Sequence, residues 1–206
     1  MGQTPLPMGK KEIEQKIMKR FAIRNDMTSL PWCMSQRYTR YHLGELLGEL
    51  GYTKGAEIGV RRAKYSKYLC EKNPNLTLFC VDPWTPYNNK YRKERQDRIY
   101  QEALKNTKGL NIKIIRKNSF DALADFEDGS LDFVFIDGNH TFDYVAPDII
   151  YWSKKVRKNG MVIIHDYYSW SGAGVREAVD AYTKCNGITP WFTTKEHEPT
   201  AFWVKP

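Results

Sequence analysis

Two apolar runs, Leu131 to Ile136 and Met161 to Ile164, each end close to a histidine and a carboxylate: Asp137 with His140, and His165 with Asp166. Carboxylate oxygens and imidazole nitrogens gathered in one place can hold a divalent cation or move a proton. The pattern between the runs brings them together. Val145, Ile149, Trp152 and Val156 recur at i, i+4, i+7 and i+11, one face of a helix, and Gly160 stands where a helix C-cap glycine would. A strand, crossover helix and parallel strand puts both strand ends on the carboxyl edge of a sheet, where open α/β sheets bind ligands. Asp137 would then hold a reacting hydroxyl, directly or through a metal. The turn Gly138-Asn139 would fold His140 back to take its proton.

The first strand carries a second signal, GAEIGVRRAKYS. A glycine turn between strand and helix lets a ligand approach the backbone, and helix N-terminal N–H groups offer donors. Asp82 ends the next strand, where a carboxylate suits the vicinal hydroxyls of a ribose. The turn lacks two of the three glycines of a pyrophosphate fingerprint, and a ligand without phosphate would tolerate Arg61 and Ala63 better.

The elements that must position these residues read off in chain order. Residues 1 to 10 form a Pro/Gly-bearing tail, and Ile13, Ile17 and Phe21 mark a basic helix. Asn25 to Arg40 has no period and reads as a loop covering the ligand edge. Leu43, Leu46, Leu47 and Leu50 form a helix closed by Gly51, before strand Ala56–Val60, a helix from Arg62 to Lys72 and strand Leu76–Val81. The loop DPWTPYNNK leads into a polar helix, Tyr91 to Lys108, whose Arg92, Lys93, Arg95 and Arg98 are either solvated surface or a basic lid. Strand Asn111–Arg116 and a short helical segment precede Leu131. After Asp166 come a helix from Val175 to Thr183 and strands Ile188–Thr193 and Ala201–Val204. The expected fold is α/β, Rossmann-like and doubly wound. Its seven-stranded sheet is mostly parallel, with one antiparallel strand near the edge. Residues 1–40 form a tail, helix and covering loop, and 41–206 form the ligand-binding domain.

Composition narrows the function classes. With 206 residues, 41% of them hydrophobic, the chain can bury one sizeable core. No apolar run approaches the roughly 18 to 20 residues that span a bilayer, and the N-terminus lacks a signal-peptide core, so a soluble cytoplasmic protein without membrane contact is expected. Cys33, Cys70, Cys80 and Cys185 are scattered and form no C-x-x-C, against a disulfide framework or zinc site. A net charge of +8 favours acidic partners, nucleic acid among them. Homo-oligomerisation is left open.

The combination EIGVRRAKYS, FCVDPW, NSF, DFVFIDGNHTFDY and KNGMVIIHDYY resembles the class I S-adenosylmethionine-dependent methyltransferases. Within them it is similar to the small-molecule O-methyltransferase and cephalosporin-hydroxylase-like group. The resemblance spans Leu43 to Val204, and the first forty residues fall outside it. It implies S-adenosylmethionine as cofactor and a small-molecule or sugar hydroxyl as acceptor. Glu57 and Gly59 would lie under the methionine and ribose portions, Asp82 would hold the ribose hydroxyls, Ser119 and Phe120 would meet the adenine, and Asp137 would sit beside the methyl donor. It also implies a metal site at Asp137, His165 and Asp166. The sequence departs from the group at Ala63, where glycine is common, and at Asn118, where an acid is. His165 stands where metal-dependent members carry an acid, which disfavours Mg²⁺ and suits Mn²⁺.

Other functions fit less well. A nicotinamide dehydrogenase needs the fuller glycine fingerprint. Asp137-Gly138-Asn139-His140 matches neither a base-amino nor a cytosine-C5 methylation motif, whereas ribose 2′-O methylation of RNA stays compatible with the lysine-rich composition. A non-catalytic S-adenosylmethionine-binding module is the third class, and the Ala63 and Asn118 departures are what speak for it.

Overall fold

The computed structural model describes residues 8–24, 29–86, 92–168 and 170–206. Most of the expected tail, part of the covering loop and residues 87–91 of the loop after Asp82 lie outside the described residues. Strand periodicity builds the rest. Lys54–Ile58 (β2), Thr77–Val81 (β3), Ile112–Ile115 (β4), Leu131–Ile136 (β5) and Val156–Ile164 (β6) are mutually parallel. Ala201–Val204 (β8) runs antiparallel to β6 and to Phe192–Thr193 (β7). The single reversed strand near the edge is as expected. An eighth strand, Trp32–Cys33 (β1), extends that edge by pairing in parallel with β7, giving the order β1-β7-β8-β6-β5-β2-β3-β4. Its two residues fall within the segment read as loop, too short a stretch to show a period.

Alternation along the strands divides the core between two layers. Phe133, Phe135, Met161 and Ile163 face a layer formed by Lys10–Arg20 (α1), Arg40–Glu49 (α2), Lys64–Lys72 (α3) and Lys93–Thr107 (α4). Val134, Ile136, Val162 and Ile164 face Phe142–Lys155 (α6) and Val175–Cys185 (α7). The short α5, Ser119–Ala122, and a 3₁₀ turn at Leu123–Asp125 lead into β5. Among the described residues no helix is long and apolar enough to cross a membrane.

The crossover between β5 and β6 is tighter than the sequence suggests. Helix α6 ends at Lys155 and β6 begins at Val156, so Val156 is a buried strand residue rather than the last of a helical face. Gly160 is not a helix cap. It lies inside β6 at a register shift opposite Leu131 and Phe133, where an added Cβ would stand 2.4 Å from the Asp132 carbonyl oxygen. Asn159 beside it takes the left-handed turn at φ 61°, which Asn tolerates better than most residues.

Helix α1 is part of the body. Ile13, Ile17 and Phe21 are buried in the same cluster as Leu43, Leu46 and Phe202. Phe21→Ala should therefore cost about 3–5 kcal/mol, the usual range for emptying a buried aromatic site. Urea unfolding should show one transition at a lower midpoint; an unchanged midpoint would mean that the arm is not part of the cooperative unit.

Candidate active site

The strand order reverses between β2 and β5: the chain moves outward through β3 and β4, then returns to β5 on the other side. Such a switch point opens a crevice at the carboxyl ends of the two strands. Gly59 leaves β2 there with φ 87°, and an added Cβ would lie 2.2 Å from the Asp137 carbonyl oxygen and 2.6 Å from Gly138 Cα. Only a residue without a side chain lets the turn close this tightly on the end of β5.

Asp82 fixes the same turn from the other side. Its Oδ2 accepts the backbone N–H groups of Val60 at 3.0 Å and Arg61 at 2.9 Å, and its Oδ1 accepts that of Trp84 at 2.8 Å. The Trp84 indole, buried, donates to the Arg61 carbonyl at 2.8 Å. Arg61 and Ala63 both take left-handed conformations, at φ 53° and 54°. A carboxylate offers about four lone-pair positions, so Asp82 retains one on Oδ1 beyond its three backbone bonds.

Glu57 lies beneath the turn, 2% exposed, with the Ser66 hydroxyl donating to its Oε2. Burial pushes its carboxyl up to about 8 and the Ser66 bond works the other way, so Glu57 is mostly protonated at neutral pH.

Beyond Gly59 the two strand ends meet. His140 Nε2 lies 3.0 Å from Asp166 Oδ2 and 3.5 Å from Asp137 Oδ1; His165 Nδ1 lies 3.2 Å and 3.6 Å from the same two oxygens. Both nitrogens are buried, yet among the described residues neither has a hydrogen-bond partner. Burial works against a charged His140, but the Asp137 and Asp166 carboxylates outweigh it and push the imidazole up to about 9. The histidines in turn hold both carboxylates below their usual range, against burial.

Arg40, the first residue of α2, closes the cluster. One of its N–H groups contacts His165 Nε2, and the same nitrogen, Nη1, lies 3.9 Å from Asp137 Oδ2. An N–H cannot donate to another N–H, so a hydrogen bond from Arg40 requires Nε2 to accept and His165 to carry its proton on Nδ1. Burial and the Arg40 contact favour the neutral ring, but the Asp137 and Asp166 carboxylates outweigh burial and push the imidazole up to about 9. A cation held by Asp137, His140 and Asp166, whose ligand atoms lie within 4.8 Å of one another, leaves the Arg40 contact intact. Ligation through His165 Nδ1 would break it, because that nitrogen would have to lose its proton to the other side of the ring.

The structure thus gathers Glu57, Gly59, Asp82, Asp137, His140, His165 and Asp166 at one sheet edge. Ser119 and Phe120 lie on α5: Phe120 is 64% exposed with its ring 5.7 Å from that of Tyr151, and burial raises the nearby Asp148 carboxyl to about 6 against the opposing effect of the Ser119 hydroxyl. Asn118 caps α5 by accepting the Asp121 N–H at 2.8 Å. Arg95 and Arg98 line a cleft with Arg62, Ile99 and Glu102. Sequence reading missed Arg40, Ser66 and Trp170, whose ring lies 5.3 Å from that of His140. Ser66 alone left a trace, nine residues after Glu57 on the helix that the glycine turn opens.

A family model described as a methyltransferase domain matches residues 56–167, more than half of the chain. Among curated proteins, an uncharacterised protein of Acanthamoeba polyphaga mimivirus is 33% identical over 72 residues, which cover 32% of this chain and 33% of that protein. The chain thus matches only a third of that relative's length. Among solved structures, a candidate caffeoyl-CoA O-methyltransferase from Staphylococcus aureus superposes with a TM-score of 0.63 at 14% identity, over 97% of this chain and 93% of the other. The O-methyltransferase NovP gives a TM-score of 0.60 at 17% identity, over 81% and 79%. These likenesses establish the fold.

Gly59→Ala should open the β2–α3 turn. Overlap with the Asp137 backbone and the left-handed φ together should cost about 2–4 kcal/mol, read as a lower denaturant midpoint. Wild-type stability in this variant would mean that the close approach is not required.

Proposed function

Because this chain belongs to the methyltransferase-domain family, we propose that it transfers the methyl group of S-adenosylmethionine to a hydroxyl oxygen of a small molecule or sugar. Residues 41–206 carry most of the cofactor site, and α1 packs against them. The observation that carries this reading is the meeting of two carboxylates and two imidazoles at the strand ends, beside a glycine turn at the switch point. A sulfonium cofactor has no phosphates to seat, in keeping with a turn that has one glycine and two left-handed non-glycine residues.

In the transfer the acceptor oxygen bonds the methyl carbon as the carbon–sulfur bond breaks, its electrons pass to sulfur, and the hydroxyl proton leaves. The chain's part is alignment, proton removal and exclusion of water. Asp82 accepts a ribose hydroxyl through its remaining Oδ1 position. The cofactor's positive end lies near Glu57 and Asp137, while Ser119 and Phe120 face the adenine. Asp137, ionised at working pH, holds the acceptor hydroxyl.

The orphaned His140 Nε2 between two carboxylates suits a divalent cation held by Asp137, His140 and Asp166, with Mn²⁺ favoured over Mg²⁺ by the nitrogen ligand. Once bound there, such an ion acidifies the acceptor hydroxyl. His165 then keeps its contact with Arg40 and its place beside the two carboxylates. A second reading follows from the raised His140: without a metal the imidazole accepts the proton itself. A general base works only in its neutral form, so turnover by that route would climb with pH up to about 9.

Calorimetry in buffers of different ionisation enthalpy should show about one proton released per Mn²⁺ bound at pH 7, because His140 must give up its proton to ligate. Turnover should vanish in excess chelator and return with Mn²⁺. Full turnover in chelator, rising to pH 9 and lost in His140→Ala, would establish the base reading instead. Absence of heat with S-adenosylhomocysteine alongside tight NAD binding would overturn both.

A further inference from the structure

S-adenosylmethionine brings a carboxylate as well as a sulfonium and an ammonium, and the edge that would receive it is rich in carboxylates: Asp82, Asp137 and Asp166. An added anion would be repelled there unless a cation meets it. We propose that Arg40 binds the α-carboxylate of the cofactor, an inference that rests on the S-adenosylmethionine reading above. Arg40 lies outside residues 56–167, the part of the chain that the family model matches.

The guanidinium is held ready for such a partner. The Arg40 N–H donates to Glu196 Oε1 at 2.8 Å, and its carbonyl accepts the Tyr65 hydroxyl at 2.9 Å, which fixes the backbone between the β7–β8 loop and α3. Its guanidinium carbon stands 5.5 Å from the Tyr65 ring centre and 5.6 Å from that of Tyr41. Little further freedom is lost when an anion docks. A guanidinium carries five N–H donors in a planar fork, of which His165 Nε2 engages one group, and the fork matches a carboxylate through two parallel bonds. The side chain is 22% exposed and lies beside Asp137, the residue that follows β5 at the crevice. Its position also explains a charge arrangement that the transfer does not use: the guanidinium is 3.9 Å from Asp137 Oδ2, beyond a direct hydrogen bond. It balances the acidic edge while keeping donors for a ligand.

The test is calorimetric titration of wild type, Arg40→Gln and Arg40→Lys with two probes: S-adenosylhomocysteine, and 5′-(3-aminopropylthio)adenosine, which lacks only the carboxylate. Wild type should prefer the first probe by about 10- to 100-fold, the usual worth of a charge-assisted hydrogen bond. Arg40→Gln should lose most of that preference and bind the decarboxylated probe as wild type does, which also reports that the variant is folded. Arg40→Lys should fall between. Equal weakening of both probes, or an unchanged preference, would overturn the assignment. A wild type that binds neither probe would overturn the cofactor reading itself, and the assignment with it.

Discussion

The edge of this sheet concentrates carboxylates, and the structure depends on how each is compensated. Buried charge is tolerated only where it is paired, hydrogen-bonded or removed by protonation. The fold uses all three. Glu57 keeps its proton because it is fully buried. Asp82 is satisfied by three backbone N–H groups. Asp137 and Asp166 face His140, His165 and Arg40. The compensation is incomplete in one informative respect: two imidazole nitrogens lie near carboxylate oxygens without bonding them. Such an edge favours a positively charged ligand, and a sulfonium cofactor or a divalent cation would complete it.

Backbone geometry makes that concentration feasible. The bare Gly59 lets β2 and β5 end against each other, and the Asp82 bonds hold the turn that follows. Parallel registry then aligns the end of β6, so His165 N–H meets the Ile136 carbonyl at 2.9 Å and Asp166 comes beside Asp137. At Asp166 the chain turns left-handed, φ 60°, which aims the carboxylate back toward His140. A two-residue edge strand and the α2 N-terminus bring in Arg40 from the opposite end of the sequence.

Much of this was legible because it rests on local periodicity. Strands β3 and β5 and the second half of β6 announce themselves as apolar runs closed by an ionisable residue, and the pairing of Asp137 with His165 and Asp166 follows from the parallel crossover. What failed to show depends on tertiary context. Gly160 looks the same as a helix cap or as a bulge residue, and only the register between β5 and β6 decides it. The two residues of β1 have no period to detect. Arg40 is one of many basic residues, and its value comes from partners at Tyr65, His165 and Glu196 that no spacing reveals.

The most direct test of the carboxylate edge as the seat of a sulfonium cofactor is a crystal structure of the chain grown with S-adenosylhomocysteine. The account predicts the ligand in the crevice between β2 and β5, with ribose at Asp82 and sulfur facing Asp137 and His140. Density for the ligand elsewhere on the chain, with that crevice filled only by solvent, would contradict it.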